Sequence, residues 1–169
     1  MKPDSPGRES RALGDASVSR DPDLLDDSRG PTASQAAGLT LKAARAVIAA
    51  GIAAGRAERI PISVAVVDSG GQLVAFERMD GADLVSITLA QDKAWTSLVN
   101  RMPTGDLGPI VQPGTEFYGY HTIKGGRTII FAGGLPLQRA GVLVGAVGVS
   151  GGDSGQDARI VMAAAAAFD

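Results

Sequence analysis

The 169-residue sequence contains no cysteine and only one histidine. Without cysteine there is no disulfide framework, thiolate nucleophile, zinc–cysteine site or iron–sulfur cluster. A single histidine excludes a chelating pair within one chain. No charge sign dominates: 16 basic residues face 18 acidic ones, for a net charge of −2. The chain is therefore no polycation, and no nucleic-acid partner is expected. Long apolar runs are missing too, because Lys, Arg or Asp interrupts the Ala/Gly-rich stretches, so no membrane partner is expected either. What remains is room for one domain at ~150 residues per domain, with 44% hydrophobic residues to build a core.

Residues 1–37 carry Lys2, Arg8, Arg11, Arg20 and Arg29 against seven acidic residues, have no aromatic, and are punctuated by Pro, Ser, Gly and Asp. Such a segment buries too little apolar surface to offset its ordering entropy, and reads as a disordered tail. It lacks the apolar stretch of roughly 7–15 residues that a signal peptide needs. A cytoplasmic protein is expected, with its folded domain over 38–169.

In that domain Thr40 is a candidate N-cap. Leu41, Ala44, Val47, Ile48, Gly51, Ile52 and Gly55 follow at helical spacing. Ile62–Val67 is a strand by β-branched content, Asp68-Ser-Gly-Gly71 a tight reversal, and Gln72–Arg78 the returning strand. A second helix, capped by Asp83 or Ser86, runs through Val99 with Leu84, Ile87, Ala90, Ala94 and Leu98 on its buried face. Residues 100–127 hold three Pro and six Gly, a loop long enough to be functional, with a short helix near Thr104–Val111. Arg127–Phe131 reads as a strand. Gly133–Leu137 follows, then a hairpin turn at Arg139-Ala-Gly141, a strand over Val142–Val149, and an Ala-rich helix over Gln156–Phe168 with Asp153 as its cap. Hairpin-linked strands between helices predict an α+β domain with an antiparallel sheet.

Familiar catalytic motifs fail. Gly148-Val-Ser-Gly-Gly152 matches the nucleophile elbow, but His121 precedes Ser150, whereas that mechanism needs the histidine to follow. No acidic triplet or His–carboxylate spacing supports a metal site. The residues left to weigh are His121, as an axial haem ligand or a general acid/base, and Asp68, at a strand end where a carboxylate orients a ligand or caps a turn. Arg78, Asp80 and Lys93 form a charged group that pairs on the surface or grips a ligand carboxylate. Arg127 serves as an anion clamp or a paired strand-edge charge. Tyr118 and Tyr120 stack, ligate or pack under the loop.

Several strings occur together and in order: Leu39-Thr-Leu-Lys-Ala-Ala-Arg45, Val64-Ala-Val-Val-Asp-Ser-Gly-Gly71, Phe76-Glu-Arg-Met-Asp-Gly-Ala82, Asp92-Lys-Ala-Trp-Thr96, Gly133-Gly-Leu-Pro-Leu137 and Val144-Gly-Ala-Val-Gly-Val-Ser-Gly151. Over about 39–168 they resemble the GlcG/HbpS-like family. The resemblance implies an α/β sandwich with a profilin-like antiparallel sheet, assembled as a homo-oligomer, whose members are small-molecule-binding modules, some of them for haem. Others resemble the C-terminal domain found with some cobalamin adenosyltransferases. The export signal and E-x-x-E iron motifs of the secreted haem sensors are missing from this sequence. Two functions follow as expectations. The first is binding of haem or a similar apolar, carboxylate-bearing ligand by Asp68, Arg78, Tyr118, Tyr120 and Arg127. The second is a cofactor-independent enzyme for a small carbonyl or carboxylate metabolite, with His121 as acid/base and Lys93 or Arg127 holding the substrate anion.

Overall fold

A computed structural model describes residues 38–168; the tail expected over residues 1–37 lies outside the described residues. Helix α1 spans Leu41–Glu58. Thr40 caps it, accepting a hydrogen bond from the Ala43 amide at 3.1 Å. Its buried stripe is Ala44, Val47, Ile48, Gly51, Ile52 and Gly55, the set the spacing predicts except for Leu41, which is exposed in the first turn. Strands β1 (Ser63–Asp68) and β2 (Leu73–Arg78) form a hairpin. Helix α2 covers Leu84–Asn100. A single α-helical turn at Thr104–Leu107 runs into a 3-10 turn at Gly108–Val111, and a second 3-10 turn lies at Tyr120–Thr122. Strands β3 (Gly134–Arg139) and β4 (Val142–Ser150) are joined through Ala140 and Gly141, both left-handed (φ 49° and 78°), the geometry a tight hairpin prefers. Helix α3 (Ser154–Ala165) opens with a reciprocal capping box between Asp153 and Gln156.

The sheet has the order β2-β1-β4-β3, and every pairing is antiparallel. This is the expected α+β arrangement. Alternation along the central strands sorts the core. Val64, Val66, Val147 and Val149 pack with Val47, Ile48, Ile160 and Ala164 of α1 and α3. On the opposite face Val67 and Ala146 pack with Ala94 and Leu98 of α2. That second face is built for close approach. A Cβ at Gly148 would strike the Ala90 carbonyl oxygen and come within 2.5 Å of the Ala94 amide nitrogen, so only glycine lets α2 sit this near the sheet. One rim of the sheet is β2. The other is β3, which carries Pro136. Among the described residues no helix is long and apolar enough to cross a membrane.

Two expectations are corrected. Of the face expected for α2, Ala90, Ala94 and Leu98 are buried, but Leu84 and Ile87 are not. Leu84 is 76% exposed, and Ser86, Lys93, Thr96 and Ser97 are buried alongside Ala90, Ala94 and Leu98. The sheet meets α2 with small and hydroxyl-bearing residues, so the helix answers in kind, as in the 2.7 Å bond between Ser63 Oγ and Ser86 Oγ. The second correction is that Arg127–Phe131 is not a strand. Its backbone groups bond to side-chain hydroxyls instead of a neighbouring ladder.

Candidate functional site

Those hydroxyls shape the segment that lines the main cleft. Thr96 Oγ1 donates to the Arg127 carbonyl (3.3 Å) and accepts from the Ile129 amide (3.0 Å). Thr104 Oγ1 donates to the Phe131 carbonyl (2.8 Å) and accepts from the Gly134 amide (3.0 Å). Ser154 Oγ accepts from the Ala132 amide (3.1 Å). A stretch rich in β-branched residues is thereby held in place without a sheet partner, and its Thr128–Phe131 portion lines a cleft of about 440 Å³. The rest of the lining comes from His121, Thr122, Gly125 and Gly126. His121 sits on the 3-10 turn. Its Nδ1 is buried and has no hydrogen-bond partner. The Tyr118 ring meets the imidazole edge-on, with centroids 6.4 Å apart.

Lys93 lies behind this lining. It is wholly buried, donating to Asp157 Oδ2 at 2.5 Å and to the Val149 carbonyl at 3.0 Å. Its ammonium also lies 5.0 Å from the centre of the Phe131 ring. Asp157, on the first turn of α3, accepts a further bond from the Gly152 amide at 3.0 Å. Burial is the larger influence on both charges. It pushes the Lys93 ammonium below the ordinary lysine range and the Asp157 carboxyl above the carboxylate range, and the attraction and hydrogen bond between them oppose this in part. Gly133, at φ 123°, lets the chain pass over the pair, since a Cβ there would lie 2.7 Å from Lys93 Nζ.

The other candidate residues are dispersed. Asp68 closes its hairpin, accepting from the Gly70 and Gln72 amides at 2.9 Å, the turn-capping alternative. Arg78 is exposed and lines a separate polar depression with Arg56, Glu77 and Asp80, so the charged group imagined for Arg78, Asp80 and Lys93 does not include the buried Lys93 as a surface or ligand contact. Arg127 Nε donates to Asp92 Oδ1 at 2.9 Å, and its guanidinium lies 4.6 Å from the Trp95 ring centre; it is a paired charge, and its side chain does not line the cleft. Tyr118 is 62% exposed beside His121. Tyr120 turns to a second cavity of about 200 Å³, where its hydroxyl donates to Asn100 Oδ1 at 2.7 Å.

Chemically, the arrangement offers an imidazole that lines a mostly apolar cleft and whose buried Nδ1 has no hydrogen-bond partner. The acid/base constellation of His121 with Lys93 or Arg127 on a substrate anion is not assembled within the chain, because Lys93 is committed to Asp157 and Arg127 to Asp92. Ser150 is buried at a strand end. Asp157 is the residue sequence reasoning missed. The signal was Lys93 itself: a lysine on a sheet-facing helix surface demands a buried anion, and the first turn of the last helix supplies one.

A family profile described as haem degrading protein HbpS-like matches residues 39–166. The corrinoid adenosyltransferase PduO of Salmonella typhimurium is 40% identical over 111 residues, which are 66% of this chain and 33% of PduO, so this chain spans about a third of that protein's length. Protein GlcG of Escherichia coli K12 is 34% identical over 112 residues, 66% of this chain and 81% of GlcG. Among solved structures, a PduOC–haem complex superposes with a TM-score of 0.76 at 35% identity, over 78% of this chain and 96% of that one.

Proposed function

Since the chain belongs to the HbpS-like family, we propose that it is a haem-binding protein whose porphyrin sits in the cleft between the His121 turn and the Thr128–Phe131 wall. One observation carries this reading: the His121 imidazole borders that cleft with its buried Nδ1 unpartnered. A buried polar atom left unsatisfied costs about 1–3 kcal/mol, so its presence calls for a functional explanation, and an occupant of the adjoining cleft supplies one. The cleft volume falls within the range of roughly 300–1,000 Å³ typical of small-molecule sites. Ile129, Ile130 and Phe131 offer an apolar face to a flat macrocycle. Bound haem supplies an iron open to axial ligation, and His121 is the residue we assign to it. Tyr118 supports the imidazole edge-on. The complex of the PduOC relative with haem supports the same choice of ligand. Exposed apolar side chains outside the cleft, Ile123 and Val142, support a homo-oligomer.

Titration of the purified chain with hemin tests the reading. A saturable, red-shifted Soret band is expected, and His121→Ala is expected to move or abolish it while Tyr118→Phe preserves it. A spectrum identical to free hemin would refute haem binding. A spectrum unchanged by His121→Ala would refute the axial assignment.

A further inference from the structure

We propose that the second cavity is an independent binding site for a neutral single-ring aromatic of the phenol class. It shares no lining residue with the haem cleft, and the neighbours Tyr120 and His121 contribute to different cavities. Its volume of about 200 Å³ exceeds the ~150 Å³ of an apolar cavity that accommodates benzene, leaving room for a ring with a small substituent. Met102, Leu107, Ile110, Val111 and Phe117 line it. No charged side chain does, so an ionised carboxylate finds no partner there. Leu107 and Val111 are buried at the base, whereas Ile110 and Phe117 are 40% and 50% exposed and form the mouth.

The polar corner selects the substituent. Asn100 Oδ1 accepts from the Tyr120 hydroxyl, and Asn100 Nδ2 donates one hydrogen to the Thr96 carbonyl at 2.8 Å. That leaves the second Nδ2 hydrogen as a donor and the Tyr120 oxygen lone pairs as acceptors. A phenolic hydroxyl, donor and acceptor on one atom, satisfies both. Benzene satisfies neither, and benzoate brings a charge the cavity cannot pair.

The test is a titration of the haem-free full chain with phenol, followed by amide chemical shifts, with benzoate as the comparison. Saturable shifts are expected at Leu107, Ile110, Val111 and Phe117, and none with benzoate. Ile110→Trp fills the mouth from a half-exposed position and is expected to abolish them. Tyr120→Phe keeps the cavity but removes an acceptor, and is expected to weaken binding roughly three- to tenfold. Shifts confined to His121–Phe131, shifts that fail to saturate, equal response to benzoate, or binding that survives Ile110→Trp would each overturn the proposal. Because no haem is present, the outcome is separate from that of the hemin titration.

Discussion

Replacing Lys93 with Met isolates the energetics of the buried ion pair. The lysine side chain is fully buried and that of Asp157 is 3% exposed. Methionine conserves much of the volume but leaves the carboxylate with one remaining donor, the Gly152 amide. Breaking a buried pair from one side costs about 3–5 kcal/mol, whereas replacing both partners with apolar residues is often neutral or stabilising. At roughly 3 °C per kcal/mol for a domain of this size, Lys93→Met is expected to lower Tm by roughly 10–15 °C at neutral pH. The double variant Lys93→Met/Asp157→Leu is expected to regain most of that loss. The pH dependence has a definite sign. Burial already raises the Asp157 pKa, and removing Lys93 deletes the two largest influences that lower it, leaving only the Gly152 amide bond to oppose burial. A folded-state pKa above the unfolded value of about 3.9 means the penalty is full above the folded pKa and vanishes below the unfolded one. The single variant should therefore recover toward wild type on acidification. Thermal unfolding followed by circular dichroism between pH 4 and pH 8 measures all three proteins. A single variant no less stable than the double one, or a deficit that grows as the pH falls, would refute the reasoning.

Thr104→Val removes a wholly buried hydroxyl serving both the Phe131 carbonyl and the Gly134 amide; a loss of about 1–3 kcal/mol is expected in urea unfolding, with weaker hemin retention because the cleft wall loosens. Asp153→Ala breaks the capping box of α3 and is expected to cost about 0.5–2 kcal/mol, measured in the same way. Arg127→Ala deletes an ion pair whose arginine side chain is 41% exposed; less than about 1 kcal/mol is expected, and a larger loss would show that the stacking on Trp95 matters more than the charge.

Local signals in the sequence proved sufficient for the hairpins and for the caps Thr40 and Asp153, whereas Asp83 starts α2 without a side-chain bond and the last helix spans Ser154–Ala165, not Gln156–Phe168. Thr40, Asp68-Ser-Gly-Gly71 and Asp153 each act through partners only a few residues away, and the Ala140-Gly141 turn through its own left-handed backbone, so their chemistry is readable along the chain. Arg127–Phe131 has the composition of a strand, but strand formation needs a free neighbouring ladder, and Thr96 and Thr104 claim its backbone groups from 27 to 33 residues away. The face of α2 misled for a related reason: its burial is dictated by Ser63 and Gly148 on the sheet, not by its own periodicity. At the site, His121 and Tyr118 were legible because they are nearly adjacent in sequence. Lys93 and Asp157 are 64 residues apart, so Lys93 signals that a buried anion is needed but not which residue supplies it. The same distance problem concealed the Arg127–Asp92 bond, which draws Arg127 away from the ligand role its position after two glycines suggests.

The two rims of the sheet differ in how they receive an incoming polypeptide. Pro136 leaves β3 without one backbone donor, so a foreign strand laid along that side loses a rung. The β2 side has no proline, yet it ends in the exposed charges Glu77 and Arg78, which deter continuous edge-to-edge stacking. Fibrillar growth is thus discouraged at both borders by two unrelated devices, and self-association through side chains on the glycine-rich loop is left as the less hindered route.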